Sequence, residues 1–408
     1  MPPEEPAIAG RSVGPYRLVR LLGRGGMGVV YEALQESPRR AVALKVLLGG
    51  PHADAATRRM FQRECDSLAR LKHPAIAAIY ESGSTAEGQP YIAMELVGGR
   101  PLSRLLEEIG APRSRPDLRR RLALLRSIAG AVAYAHQRGV IHRDLKPSNI
   151  MVTEAGAAPA EGAPAAGAGS PGAGSLAGLP AIKILDFGLA RIVDPDVAAA
   201  ETVARSATAR IEGTLPYMSP EQIRGRAEEA DARADVYALG VLLYRMLSGR
   251  LPFPVEALPY PEAARVICDE PPPPLGTARG SPRIDRDLAV IVFKALEKDP
   301  ARRYATVAAL DEDLGRYLEG QTILARPPSA AYQMRRLVAR HKAAFAAAAI
   351  AVVGLAALAA VMTAQARRLA KERDRAASEA ATAREVSAFL TDLFNVSDPG
   401  EAQGSTVL

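Results

Sequence analysis

Two short phrases carry most of the reactive side chains in this 408-residue chain: "VIHRDLKPSN", residues 140–149, and "ILDFGLA", residues 184–190. Asp144 is a carboxylate that can accept the proton of an attacking hydroxyl, and Lys146, two residues on, can steady a transferring phosphoryl group. Asn149 offers an amide oxygen to a metal ion. Asp186 supplies a second hard oxygen, which suits Mg²⁺ because that ion keeps phosphate oxygens in its shell. His142 reads as a packing and hydrogen-bonding residue rather than a general base.

A second group of residues is suited to holding an anion. In "GRGGMGVVYEA" the glycines Gly23, Gly25 and Gly28 form G-x-G-x-x-G, a weak signal alone. In a dinucleotide-binding fold the third glycine opens a helix, whereas here "VVYEA" continues as an alternating strand. That context favours a hairpin lid whose backbone N–H groups approach phosphates; a flexible turn is the alternative. Lys45 ends the apolar strand "VALK" and needs a counter-charge. Glu64, on the helical stretch that follows, is the candidate partner, with a surface ion pair as the other reading.

The elements that must position these groups change character along the chain. "YRLVRLLG", "GVVYEAL", "AVALKVLL", "HPAIAAIYESG" and "QPYIAMELV" read as strands, with one helix over "ATRRMFQRECDSLARL" that sets Met60, Phe61, Cys65, Leu68 and Leu71 on one face. From Leu102 onward long apolar-periodic runs predict helices. The switch at "LVGGRPL" marks a lobe boundary with a Gly-containing hinge.

Composition limits the function classes. The chain is 48% hydrophobic with a formal charge of +7, yet its arginines are scattered rather than gathered in a basic stripe, which argues against nucleic acid as a partner. Two cysteines, Cys65 and Cys268, allow neither a disulfide framework nor a Cys-based metal site, and suit a reducing compartment. The first residues are acidic and Pro-rich, with no apolar signal-peptide core. Residues 343–366, "AAFAAAAIAVVGLAALAAVMTAQA", carry no charge and are long enough to cross a bilayer of about 30 Å. Arg335, Arg336, Arg340 and Lys342 precede them, and Arg367, Arg368, Lys371 and Arg373 follow. A transmembrane helix is expected there, a buried soluble helix being the bland alternative.

Taken in order, "GRGGMGVV", "VALK", Glu64, "HRDLKPSN", "DFG", "GTLPYMSPE", "DVYALG" and "DPARR" resemble the eukaryotic-type Ser/Thr protein kinases of the bacterial, membrane-anchored kind, over about residues 16–318. The resemblance implies an α+β bilobal fold with a small β-rich lobe and a large helical lobe, followed by the single membrane helix. It implies a protein kinase that uses ATP and Mg²⁺, with Mn²⁺ as an alternative, on protein Ser/Thr hydroxyls. Leu22, Gly23, Arg24, Gly25, Gly26, Met27 and Gly28 then cover the phosphates. Val30 and Ala43 roof the adenine pocket and Met151 floors it. Met94 is the gatekeeper, and Glu95 to Val97 the hinge whose backbone bonds adenine. Lys45, paired with Glu64, contacts the α- and β-phosphates; Asp144 is the base assisted by Lys146; Asn149 and Asp186 bind the metal. Glu221 matches the family glutamate that pairs with a buried arginine, here Arg303, and Asp235 the aspartate that braces the catalytic loop. "SPE" for "APE" and "VALK" for "VAIK" are departures that remove no functional group.

Arg143 beside Asp144 suits regulation by a phosphorylated loop, with Thr202, Ser206, Thr208 and Thr214 as acceptors; Thr214 equally suits a structural hydroxyl facing the catalytic loop. The implied domains are a lead, 1–12; a small lobe, 13–97; a large lobe, 98–318; a linker, 319–342; the membrane helix, 343–366; and a charged helical stub outside the cytoplasm, 367–408. An Ala/Gly/Pro-rich insertion, about residues 154–179, is expected to be disordered. The kinase unit is expected on the cytoplasmic side of the inner membrane because ATP is there, since the flanking charges do not decide orientation. A homodimer that phosphorylates itself in trans is the implied partnership. A nucleotide-binding pseudokinase scaffold and a membrane receptor with an incidental kinase fold are the competing classes.

Overall fold

A computed structural model describes residues 11–25, 28–47, 65–66, 68–85, 88–153, 180–187, 214–225, 231–275, 282–326 and 342–396. The chain forms two compact units, residues 1–329 and 330–408. Of the expected elements and sites, Gly26, Met27, Glu64, Thr202, Ser206, Thr208 and the 154–179 insertion lie outside the described residues.

The first unit opens with an antiparallel sheet of six strands: β1 (Ser12–Val13), β2 (Tyr16–Gly25), β3 (Gly28–Gln35), β4 (Arg40–Leu47), β5 (Ile79–Ser84) and β6 (Pro90–Glu95), in spatial order β1-β2-β3-β4-β6-β5. Cross-strand partners share a face. Val30↔Lys45↔Ile92 and Ala43↔Met94 therefore set Val30, Ala43, Lys45, Ile92 and Met94 on one side. The other side gathers Tyr16, Leu18, Ala33, Val42, Leu44, Tyr91 and Ala93 into a separate apolar cluster. The alternating sequence thus builds two apolar faces, and Lys45 is the charge among the inward residues.

Between β2 and β3 the chain turns at the glycine-rich stretch. Gly28 cannot be replaced at no cost, since a Cβ there would stand 2.4 Å from the Val46 carbonyl oxygen. After β6, residues 96–99 lead to the short strand β7 (Arg100–Pro101), which joins β8 (Ile150–Thr153) and β9 (Ala181–Ile184) in a second sheet of order β7-β8-β9. Gly99 adopts φ 113°, and a Cβ there would meet the Val152 carbonyl at 2.4 Å, so the link passes against β8 only as glycine.

The helical part comprises α1 (Leu102–Ile109), α2 (Arg115–His136), α3 (Pro220–Ile223), α4 (Ala232–Ser248), α5 (Tyr260–Asp269), α6 (Arg286–Ala295) and α7 (Val307–Leu318). Side-chain caps start several of them: Ser114 accepts from Asp117 N, Asp231 from Arg233 N, Asp285 from Leu288 N and Thr306 from Ala309 N. Helix α4 is buried nearly all round, from Ala234 to Leu247, as the central post of the lobe. The contacts of this lobe continue past residue 318, where the linker was expected to begin. The buried Asp313 accepts from Leu324 N and Ala325 N, and Arg326 pairs with Asp287 at 3.1 Å.

Among the described residues the second unit holds one helix, α8 (Lys342–Val396), which runs without a break through the apolar segment and the charged stretch that follows it. Both halves are rich in Ala, a strong helix former, so the polarity changes at 367 without breaking the backbone pattern. Its apolar residues, among them Ile350, Val353, Leu355 and Met362, are exposed, and it is long and apolar enough to cross a membrane.

Candidate active site

The turn of residues 140–149, between α2 and β8, is anchored from below by one carboxylate. Asp235, on α4 and 1% exposed, accepts the backbone N–H groups of His142 (2.8 Å) and Arg143 (2.9 Å) and the His136 Nε2 (2.7 Å). Burial on its own would raise this carboxyl, but the two histidines and the backbone donors outweigh it and hold the group below the ordinary aspartate value. His136 Nδ1, also buried, finds no partner among the described residues. Arg143 sits at φ 64°, an uncommon conformation for a long side chain. The Asp235 bond and the donation of Gln222 Nε2 to Arg143 O at 2.7 Å hold it there.

His142 is fully buried. Its Nδ1 accepts from Asp144 N at 3.3 Å, so Nε2 carries the proton that bonds the Leu185 carbonyl at 3.0 Å, and its ring packs 4.6 Å from Phe187. It therefore works as a packing and hydrogen-bonding link between the two reactive phrases.

Above that floor the reactive groups converge. Asn149 Nδ2 donates to the Asp144 carbonyl (2.8 Å) and to Asp144 Oδ2 (3.2 Å), and Leu185 N donates to Asn149 O at 2.8 Å. Lys146 Nζ lies 2.9 Å from Asp144 Oδ2 and bonds Thr214 Oγ1 at 2.6 Å. Strands β8 and β9 pair directly through Ile150↔Ile184, which brings Asn149 beside Leu185 and Asp186 despite the long sequence between them. Asp186 has φ 58° and bonds Lys45 Nζ through Oδ2 at 2.8 Å. Lys45 is thus paired with Asp186 in this structure, while Glu64, the partner expected from the sequence, lies outside the described residues.

Of the remaining residues singled out, Val30, Ala43 and Met94 face the cleft from the first sheet, Val97 lies on the connecting segment, and Met151 faces them from the second. Leu22 and Arg24 are exposed near the tip of the first hairpin, where Gly23 pairs with Val30. Behind Met94 a small apolar cavity, lined by Leu68, Leu71, Ile79 and Phe187, runs to Asp186. Two residues not anticipated take part: Gln222, visible in the sequence only as the third helical position after Ser219, and His136, which nothing in a single sequence ties to Asp235.

A buried ion pair fixes the lower lobe. Arg303, with a fully buried side chain, donates to both oxygens of Glu221 at 2.7 Å and to the carbonyls of Arg233, Glu297 and Lys298. Burial raises Glu221, and the Arg303 bonds and charge more than reverse it, leaving the carboxyl below its usual range.

A small β lobe, a helical lobe built round one buried post, and a cleft lined by Lys45, Asp144, Asn149 and Asp186 define the class. The chain belongs to the protein kinase family: the family described as "Protein kinase domain" matches residues 16–314. It is 36% identical over 312 residues to the serine/threonine-protein kinase PknB of Mycolicibacterium smegmatis, covering 75% of this chain and 43% of that one. It is 35% identical over 323 residues to a probable serine/threonine-protein kinase of Streptomyces coelicolor, covering 78% and 42%, and 35% identical over 314 residues to pkn3 of Myxococcus xanthus, covering 76% and 52%. The chain spans about half the length of these curated relatives. Among solved structures, a double mutant of the PknI kinase domain of Mycobacterium tuberculosis superposes with a TM-score of 0.51 at 26% identity, covering 76% of this chain and 98% of that one.

Proposed function

We propose that the chain is an ATP-dependent serine/threonine protein kinase held at the membrane. One observation carries this reading: Asp144, Lys146 and Asn149, bonded to one another in one turn, stand beside the Lys45–Asp186 pair, the two sets joined through the Leu185 N bond to Asn149 O. Asp144 takes the proton of the acceptor hydroxyl, and Lys146, bonded to both Asp144 and Thr214, steadies the transferring phosphoryl group and keeps the acceptor side of the cleft in register. Lys45 grips the α- and β-phosphates, with Glu64 proposed as its partner when nucleotide is bound. The glycine-rich hairpin covers the phosphates. Val30, Ala43 and Met151 enclose the base, while the backbone of residues 95–97 bonds its edge beside Met94.

The residues fit a hard divalent cation. The Asn149 amide nitrogen is spent on Asp144, which leaves its carbonyl oxygen as the donor, and Asp186 adds a carboxylate. We assign the ion as Mg²⁺, with Mn²⁺ as an alternative; when bound it supplies charge neutralisation between the phosphates. The names of the relatives support the acceptor class, serine and threonine. For regulation, Thr202, Ser206 and Thr208 are the proposed autophosphorylation sites, modified in trans within a homodimer, and Thr214 serves chiefly as Lys146's partner.

Residues 343–366 are proposed as the membrane span, supported by the exposed, charge-free stretch 345–366 of α8. The lobes then stay in the cytoplasm, where ATP is, and residues after 366 lie outside. The test incubates the full chain in detergent with Mg²⁺ and γ-labelled ATP beside Asp144→Asn. Wild type should label itself and a generic protein substrate, and the variant should be slower by about 10²–10⁴-fold. Equal, background-level labelling by both would sink the enzyme reading and leave a nucleotide-binding scaffold.

A further inference from the structure

An ion pair at the inner end of the cleft has no role in the assignments above. Lys183 Nζ lies 2.7 Å from Glu95 Oε2, joining positions 88 apart in sequence. Glu95 is the last residue of β6, and Lys183 stands on β9, three residues before Asp186. The same carboxylate oxygen accepts from Ala78 N at 3.2 Å, while Glu95 N donates to Ala78 O at 2.8 Å. The loop of residues 75–78 is bonded in turn to β9: Ala77 N donates to Ile184 O at 2.9 Å, and Ile184 N donates to Ala75 O at 2.8 Å. Lys183 to Glu95 closes this set of bonds into a ring of three segments. Without it, the hydrogen bonds that tie β9 to the end of β6 among the described residues run through the 75–78 loop.

The ring lies where the nucleotide would be gripped at two points. Lys183 is the cross-strand partner of Met151, so both side chains project from the same face of the second sheet, toward the cleft. Both charged groups are partly exposed, 24% for Lys183 and 26% for Glu95, so the pair adds little to global stability. Its effect is local: it fixes how far residues 95–97 stand from Asp186.

We propose that Lys183 is a positioning residue for ATP. Its ion pair with Glu95 sets the separation between the segment that holds the base and the carboxylate that holds the metal, a proposal that rests on the kinase reading. A ligand held at both ends tolerates little error in that distance, so loosening the ring weakens nucleotide capture more than it slows transfer.

The experiment compares the full wild-type chain in detergent with Lys183→Met, Lys183→Arg, Glu95→Gln and the Lys183→Met/Glu95→Gln double variant. Amide exchange without nucleotide is read by mass spectrometry over peptides containing residues 75–78 and 181–185, and KM for ATP and kcat are measured on a generic protein substrate. Lys183→Met should speed exchange in both peptides roughly two- to fivefold. It should raise KM for ATP by at least roughly threefold, with a smaller change in kcat. Lys183→Arg should restore both, and the double variant should be no worse than either single one, as for partners in one interaction. Lys183→Arg and Glu95→Gln decide the matter if Lys183→Met does not fold. Unchanged exchange, an arginine variant as impaired as the methionine variant, or additive single effects overturn the proposal alone. A wild-type chain that binds and turns over no ATP overturns the kinase reading, and this proposal with it.

Discussion

The turn of residues 140–149 has two faces built by different rules. On its lower face Asp235 is 1% exposed and its bonds go to backbone N–H groups and a histidine ring, partners that cannot leave without unfolding α4 or the turn. On its upper face Asp144 and Asp186 keep 21% and 27% of their side chains exposed, and each is bonded to the end of a flexible lysine. Fixed, desolvated partners hold geometry. Exchangeable ammonium groups keep a carboxylate aimed while leaving it open to another cation or a substrate hydroxyl. The same residue type therefore serves as scaffold or as reagent according to what its partner can do.

The sharpest way to break that contrast is Arg303→Leu. It strands Glu221 as a buried, unpaired charge beneath the turn, and should cost about 3–5 kcal/mol, read as a lowered unfolding midpoint in detergent. Glu221→Leu with Arg303→Leu should recover most of the loss, since an apolar pair of similar volume can replace a buried ion pair. Wild type should lose stability as pH falls through the depressed values of Asp235 and Glu221, below about pH 4, because these carboxyls stabilise the fold only while ionised. The acid dependence of the double variant should be shallower, since the contribution of Glu221 is gone.

Lys146→Met probes the upper face. Its partners are partly exposed, so unfolding should shift by less than about 1 kcal/mol. Turnover should still fall on the order of 10²-fold, through loss of charge beside the transferring group. If this variant unfolds as Arg303→Leu does, the distinction between scaffold and reagent fails.

How much of this was legible beforehand follows the same divide. The strands of the first sheet could be read because period-2 alternation is a local signal, whereas their spatial order could not, and the convergence of Asn149 and Asp186 followed from the family resemblance. Glu221 with Arg303 and Asp235 beneath the turn came from the family resemblance. The contact of Lys45 with Asp186 could not be read, because a lysine reaches several carboxylates and which of them it meets depends on tertiary placement. Lys183 with Glu95 escaped for the same reason, two unremarkable charges whose meaning lies in the loop between them. The continuity of α8 was missed because polarity, which changes at residue 367, was taken to divide a helix whose Ala-rich backbone has no reason to stop.

Lys298, half-buried elsewhere in the helical lobe, breaks the rule of fixed, paired charges, being a charge that burial opposes. Desolvation lowers its pKa to about 8, although Nζ bonds the Ile267 carbonyl and lies 4.0 Å from the Phe253 ring. The unfolded chain therefore holds this proton between about pH 8 and 10.5 where the folded chain does not, so stability contributed by this site rises with pH across that window. Compared with Lys298→Met, wild type should gain about 1–2 kcal/mol between pH 7 and pH 10, a figure reduced for the group's partial exposure. A pH-independent difference between the two would mean that Lys298 titrates as in water and that its surroundings tolerate charge freely.

The smallest effect is expected where neither rule applies. Thr153 and Ala181 are cross-strand partners, so the ends of the Ala/Gly/Pro-rich stretch already stand side by side at the far end of β8 and β9 from Asn149 and Asp186. Replacing residues 154–180 by about eight Gly and Ser residues removes nearly two doublings of loop length. At about 0.6 kcal/mol per doubling, that raises stability by about 1 kcal/mol at most. The Thr153↔Ala181 pairing needs only a chain long enough to turn, and Leu185 N still reaches Asn149 O, so kcat and KM for ATP should stay within about twofold. A tenfold loss would show that the stretch contributes to the cleft through contacts of its own. The upper face would then have a supporting element that neither its motifs nor its bonded lysines reveal.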